Sequence, residues 1–300
     1  MLRDDIYKIS INEKHLNTKK IAILVLIIIV AIGLVMIANN SIEIIKQHKV
    51  YEQYETQLKV LAKQEEDKQI EKEKKKQEKI PQLTQEGKNN IENIYRSETK
   101  RAFLTFDDGP STVTPTILDT LKKEKVKATF FVLGSRVKAM PETVKRIYEE
   151  GHYIANHGYS HSYSDIYVSP QAVLDEFNQC NDAVKDAIGV PTYHSHLFRF
   201  PGGLPGGKYA QIKSEAKELL LQNDIVHVDW NALTGDAETA SPTIEFEMER
   251  LQQTVENKNS VVILMHDAQA KAVTAEALPQ IICWLRENGY EFKNFYEIIK

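Results

Sequence analysis

The chain has 300 residues, 42% hydrophobic and 27% charged, enough apolar material to bury a full core. Its 38 Lys and Arg against 42 Asp and Glu give a net charge of -4, which excludes nucleic acid as a partner held by bulk charge. The charge is unevenly spread: residues 1–98 hold 17 basic and 15 acidic side chains, a net of +2, and the remainder 21 and 27, a net of -6.

Residues 21–38 form an unbroken apolar run, long enough to span a bilayer. Lys19 and Lys20 abut its start, whereas Asn39, Asn40 and Glu43 follow it. That asymmetry predicts a single-pass signal anchor, with residues 1–20 in the cytoplasm and the rest outside. A cleaved signal peptide is the competing reading, but the run is longer than a usual signal core and no Ala-x-Ala site follows. Residues 39–98 are polar, and Lys63 to Lys79 reads KQEEDKQIEKEKKKQEK. Glu–Lys pairs four apart favour helix there, yet no face can be buried. A charged helical stalk or linker is expected, without a coiled coil, since apolar a and d positions fail after Leu61.

From residue 99 to 300 strand-like and helix-like segments alternate, as in one folded domain. Strands are predicted at 101–106, 128–133, 153–156, 196–200, 225–230 and 261–266, with a weak one at 291–295. Helices are predicted at 114–125, 141–150, 170–188, 209–223, 243–257 and 272–288. Such alternation implies a parallel sheet, here closed or nearly closed into a (β/α) barrel. Cys180 and Cys283 fall in predicted helices and are read as buried free thiols rather than a disulfide.

The chemistry concentrates in a few places. Asp107 and Asp108 end the first strand, and Gly109-Pro110 then forces a turn that lets both carboxylates reach one pocket. Two carboxylates in one pocket repel unless a cation neutralises one of them. His157 and His161 offer two imidazoles at a spacing that suits one metal ion. With Asp108 they make a three-ligand site with open positions, the arrangement of catalytic rather than structural zinc. Asp107 is left free to act as a base. The bland alternatives are a capping pair in an Asp-Gly turn and two histidines on a solvated face.

These residues, with Arg199-Phe200-Pro201-Gly202-Gly203, Asp229-Trp230 and Leu264-Met265-His266, occur in the order found in polysaccharide deacetylases, and the chain from about Lys100 onward resembles that family. The resemblance implies an irregular (β/α) barrel with fewer than eight full units. It implies Asp107 as general base, Asp108, His157 and His161 as metal ligands, and Arg199 as the residue that orients the base. It further implies His266 as general acid tuned by Asp229, with Asp267 and Asp236 as weaker partners. Gly202 would supply a backbone N–H to the oxyanion, and Trp230 and Leu264 a pocket for an acetyl methyl. Two positions depart from the family: Gly158 stands where Ser or Thr is usual, and Gly202 where many members carry Tyr. The cofactor expected is one divalent ion, zinc by default with cobalt or another divalent ion also accepted. The substrate expected is a cell-wall glycan, peptidoglycan first, with chitin-like or O-acetylated polysaccharides such as xylan as alternatives and a catalytically silent glycan-binding protein as another. No protein partner is predicted. His194 and His196 look like a metal pair but enter their strand at its N-terminal end, well below the end that carries Arg199, and His152 and His227 are read as structural.

Overall fold

The computed structural model describes residues 20–27, 41–78 and 80–300. The chain divides into two compact units, residues 1–74 and 75–300. In the first, residues 20–27 are helical and a long helix α1 (Ser41–Glu78) begins. Most of the expected membrane span, residues 28–38, and the expected cytoplasmic tail to residue 19 lie outside the described residues. Among the described residues no helix is long and apolar enough to cross a membrane. Helix α1 is polar as expected, with Leu58, Leu61 and Ile70 exposed rather than buried in a seam. Its Lys59–Glu55 and Lys68–Glu65 pairs are open to solvent and add little to its stability.

In the second unit the polar stretch before residue 99 departs from the expected linker. Helix α2 (Gln85–Glu92) starts at Thr84, whose hydroxyl accepts the Gly87 N–H. Ile91 and Ile94, one helical turn apart, are buried in the core of the domain. Thr84 N–H donates to Ile299 O, and a Cβ on Gly87 would overlap that same carbonyl. The domain therefore takes in residues well before 99.

The domain continues with β1 (Arg101–Asp107), α3 (Thr114–Glu124), β2 (Thr129–Val132), α4 (Gly134–Ala139), α5 (Pro141–Glu149), β3 (Tyr153–Asn156) and α6 (Tyr163–Ile166). There follow α7 (Pro170–Ile188), β4 (Leu197–Phe198), α8 (Ala210–Gln222), β5 (Val226–His227), β6 (Ala232–Leu233), α9 (Ile244–Val255), β7 (Ser260–His266), α10 (Ala272–Glu287) and β8 (Glu291–Phe292). Local chemistry sets the helix ends. Ser169 caps α7 by accepting the Ala172 N–H, Pro170 occupies its first turn, and Gly189 closes it in the left-handed conformation.

All recorded strand pairs are parallel, in the order β5-β4-β3-β2-β1-β7-β6, with β8 beside the start of β1. Strands β5 and β6 stand at opposite ends of that path, yet only residues 228–231 join them. Five residue steps reach at most about 18 Å, whereas seven flat strands would separate their edges by about 29 Å. The sheet must curl almost closed, which is the deformed barrel expected. Alternation along the strands sorts its two sides. Ala102, Leu104 and Phe106 of β1 and Val261, Ile263 and Met265 of β7 pack under the outer helices. Phe103 and Val262 fill the barrel interior with Phe131, Tyr153 and Leu197. Thr105, then Asp107, continue the inward row of β1 toward its C-terminal end, opposite Leu264 and His266 of β7.

Candidate active site

The inward row of β1 delivers Asp107, and a twist in the backbone delivers Asp108. Asp108 has φ +73°, a left-handed conformation rare outside glycine, and this turns its carboxylate away from the face a continuing strand would give it. Gly109 follows because a Cβ there would overlap the Asp267 carboxylate. Asp108 Oδ1 lies 3.5 Å from His157 Nε2 and 3.3 Å from His161 Nε2. One atom from each of the three residues falls within 4.8 Å of the others. Asp108 Oδ1 is buried and accepts no hydrogen bond, a costly state that a cation would relieve. His157 Nδ1 meets Arg199 O at 2.7 Å, which fixes the ring and presents the Nε2 lone pair to the pocket. Burial pushes this imidazole down to about 3, so it is neutral, as a ligand must be. The three residues fit a divalent ion.

His157 and His161 lie on a loop rather than a helix. Asn156 anchors its start, accepting from Gly158 N–H at 2.9 Å and donating to Phe177 O at 2.9 Å. Glu176, from α7, accepts from Tyr159 N–H at 2.5 Å, Ser160 N–H at 2.7 Å and the Ser160 hydroxyl at 2.8 Å. Gly158 has φ +87°, and a Cβ there would sit 3.2 Å from Glu176 Oε2. The glycine is required by the turn, and the loop is braced from outside by Glu176. Nothing in the sequence around the histidines marks that residue.

Arg199 follows β4 and is wholly buried in the barrel mouth. It donates to Asp107 Oδ1 at 2.8 Å, Thr105 Oγ1 at 2.9 Å, Val228 O at 3.0 Å and Asp229 O at 3.0 Å. Its guanidinium lies 3.9 Å from the centre of the Phe131 ring. Every edge is engaged, so the Asp107 carboxylate is held in one orientation. Burial drives the Asp107 carboxyl above its ordinary range, against the opposing pull of Arg199 and His266.

His266 ends β7 directly across from Asp107. Its carboxylate partner is Asp236, not Asp229. Asp236 Oδ1 lies 2.8 Å from His266 Nδ1, and Asp236 Oδ2 accepts the His266 N–H at 2.8 Å. Burial alone would push the imidazole down, but the Asp236 hydrogen bond and charge, with Asp107 and Asp108 beyond, raise it to about 9. Behind Asp236 the Thr274 hydroxyl touches both Asp236 Oδ2 (3.2 Å) and Glu247 Oε1 (3.1 Å). Asp229 faces elsewhere. Its carboxylate takes the Leu204 N–H and stands 3.2 Å from His227 Nε2, so it braces the loop that carries Gly202. Although burial opposes it, His227 and the Leu204 N–H hold Asp229 below its ordinary value. Lys213 steadies the same loop by donating to Gly203 O at 2.6 Å.

Gly202 has φ +74°, and its N–H donates to no group among the described residues. Trp230 packs against the barrel interior, with its ring 5.7 Å from the Arg199 guanidinium. Leu264 lies one inward step below His266 and is 9% exposed, the edge of the core rather than its centre. Asp267 is buried, accepts from Thr114 Oγ1 at 2.6 Å, and is raised to about 7, chiefly by burial. His194 and His196 precede β4, below the end that carries Arg199. His152 accepts the Ala128 N–H. Cys180 is a buried free thiol as expected, whereas Cys283 is free but exposed. A cleft of about 340 Å³ opens beside Asp108 and His161, lined also by Leu133, Ser135, Arg136 and Gln269.

The chain is similar in sequence and fold to known proteins. A family profile for polysaccharide deacetylases matches residues 95–221. The putative polysaccharide deacetylase YheN of Bacillus subtilis is 37% identical over 64% of this chain and 66% of its own. A peptidoglycan-N-acetylglucosamine deacetylase of Bacillus cereus is 32% identical over 74% of this chain and 81% of its own. Among solved structures, a Streptococcus mutans CE4 esterase superposes with a TM-score of 0.62 at 30% identity, covering 71% of this chain and 92% of that one. The chain belongs to the polysaccharide deacetylase family, hydrolases that act on N-acetyl amide groups.

Proposed function

We propose that this deacetylase removes N-acetyl groups from N-acetylglucosamine units of a cell-wall glycan, with peptidoglycan as substrate and one divalent ion, zinc first, as cofactor. The observation that carries the reading is the buried Asp107–Arg199 pair at 2.8 Å, set beside the Asp108, His157 and His161 cluster and across from His266. A divalent ion bound by the three ligands supplies Lewis acidity toward water and the amide carbonyl. Asp107, aimed by Arg199, accepts a proton from the attacking water. The unpaired Gly202 N–H donates to the oxygen on which negative charge develops. His266, kept protonated by Asp236, delivers a proton to the departing nitrogen, giving acetate and a free amino sugar. Trp230 and Leu264 flank the acetyl methyl.

Peptidoglycan is favoured by the named activity of the Bacillus cereus relative and by Arg136, which lines the cleft and has no ion-pair partner among the described residues. A lone cation there suits a glycan that carries carboxylates better than neutral chitin. The retention of both Asp107 and His266 argues against a silent binding protein. The apolar run 21–38 supports a cell-membrane anchor with the catalytic domain outside. The test is acetate release by the full chain from peptidoglycan, chitin oligomers and acetylxylan, metal-free and with zinc or cobalt, beside Asp107→Asn. Metal-dependent release from peptidoglycan that Asp107→Asn abolishes is expected. Release from chitin or xylan alone overturns the substrate, and silence on all three overturns the activity.

A further inference from the structure

Beyond His161 the chain enters α6 at Tyr163, a residue that neither the motifs nor the proton transfers above employ. Its ring centre lies 5.7 Å from that of His161. Its hydroxyl rests against the Gly202 backbone, so closely that a Cβ on Gly202 would overlap it. That hydroxyl makes no hydrogen bond among the described residues, and neither does the Gly202 N–H. A phenol hydroxyl and a backbone N–H, neither engaged by another described group, thus stand together beside His161.

The phenol is also held in place. Tyr163 packs against Tyr167 and Tyr209, with ring centres 5.6 and 6.4 Å away. Tyr167 in turn donates to Pro201 O at 2.7 Å, which ties this aromatic wall to the loop carrying Gly202. The side chain is nevertheless 41% exposed, so the wall is open on one side.

We propose that the Tyr163 hydroxyl is a catalytic donor to the acyl oxygen, acting beside the Gly202 N–H as the carbonyl becomes tetrahedral. The inference rests on the deacetylase reading above. No bond to Tyr163 forms or breaks: the neutral phenol donates a hydrogen bond that strengthens as charge gathers on the oxygen. Glycine at 202 is what leaves room for the hydroxyl, and its φ of +74° keeps the loop in that shape.

The experiment is Tyr163→Phe in the full chain loaded with zinc, with acetate release followed on N-acetylglucosamine oligomers and on peptidoglycan. Zinc affinity and the melting temperature are measured alongside. The expected result is a kcat lower by about 10²-fold, with KM, zinc affinity and melting temperature unchanged. An unchanged kcat, or a raised KM with kcat intact, overturns the assignment and leaves the deacetylase reading standing. A fall in zinc affinity that parallels the loss of kcat also overturns it, because the hydroxyl would then act through His161. No release by the parent chain overturns the deacetylase reading, and this inference with it.

Discussion

Asp236→Asn tests the proposed role of His266 as proton donor. Asp236 holds His266 through Nδ1 and through the main-chain N–H, both at 2.8 Å, and is the group that does most to raise its imidazole from 6.5 to about 9. That interval corresponds to roughly 3 kcal/mol in favour of the charged ring. Asparagine removes the charge and can turn an NH₂ toward Nδ1, which favours the neutral ring, while burial still pushes downward. His266 should then titrate at or below its ordinary value. At pH 7.5 the protonated fraction falls from nearly all to about a tenth, so kcat drops about tenfold or more. The sign follows from the role: a general acid is lost as pH rises through its pKa, so the alkaline limb moves to lower pH. A divalent ion on Asp108 offsets the share contributed by Asp107 and Asp108, and the Asp236 share remains. Stability carries the same signature. A histidine raised above its unfolded value stabilises fully below pH 6.5 and loses that contribution toward about 9. The parent's advantage over the variant should therefore shrink across that window. The assays are a pH–rate profile of acetate release and an NMR titration of His266 in the metal-free protein. An alkaline limb unmoved in a folded Asp236→Asn protein refutes the reasoning.

Arg199→Ala should be worse than the loss of one hydrogen bond, because it strands a buried Asp107 carboxylate that is 2% exposed. Destabilisation of about 3–5 kcal/mol in urea melts is expected, and a loss below 1 kcal/mol would mean that the pair is not buried in solution. Zinc at about a hundred times its dissociation constant should stabilise the parent by about 2.7 kcal/mol. Asp108→Ala should show none of that shift in a thermal melt, and an equal shift in both would place the ion elsewhere. Gly109→Ala drives a methyl group into the Asp267 carboxylate and should cost about 1–3 kcal/mol while weakening zinc binding through Asp108. An alanine variant with parental stability and zinc affinity would show that the turn can relax.

The barrel was legible from local strand and helix patterns, and the Asp108, His157 and His161 cluster from residue types at the ends of two strands. The strand that ends at Asp107 is a dense apolar run, and the register of β1 against β7 then places Asp107 opposite His266 without further instruction. Short elements were missed where local pattern is thin. Strand β6 has only two residues, Ala232 and Leu233, too few to display an alternation. Helix α2 looked like linker because most of its side chains are polar, yet Ile91 and Ile94 dock it together with the Thr84 N–H and the close approach of Gly87 to Ile299. Its hold on the domain depends on where single residues fall on and just after a short helix, which overall composition hides. Glu176 was invisible for a different reason. It acts from the middle of a long helix, where one acidic side chain among several carries no mark of facing inward.

The exchange of Asp229 for Asp236 shows where sequence reasoning gives out. Asp229 adjoins Trp230 just after β5, so its position along the chain suggests the mouth of the barrel and hence His266. Register decides otherwise. Strand β6 pairs Ala232 with Ile263 and Leu233 with Leu264, which carries the following turn, and Asp236 with it, up beside His266. Asp229 instead follows β5, whose register against β4 sets it beside Arg199 rather than on the strand next to β7. The curled sheet needs residues 228–231 to pass from one edge to the other, and that passage turns Asp229 toward His227 and Leu204. Under the proposed mechanism each carboxylate braces one side of the reaction: Asp236 the proton donor His266, Asp229 the loop whose Gly202 N–H would meet the oxyanion. Exchanging a charge for an amide at the two positions should therefore give different kinetics. Asp236→Asn moves the alkaline limb, whereas Asp229→Asn lowers kcat at every pH and leaves the limb where it was. Identical pH shifts in the two variants would return the tuning role to Asp229 and undo this division.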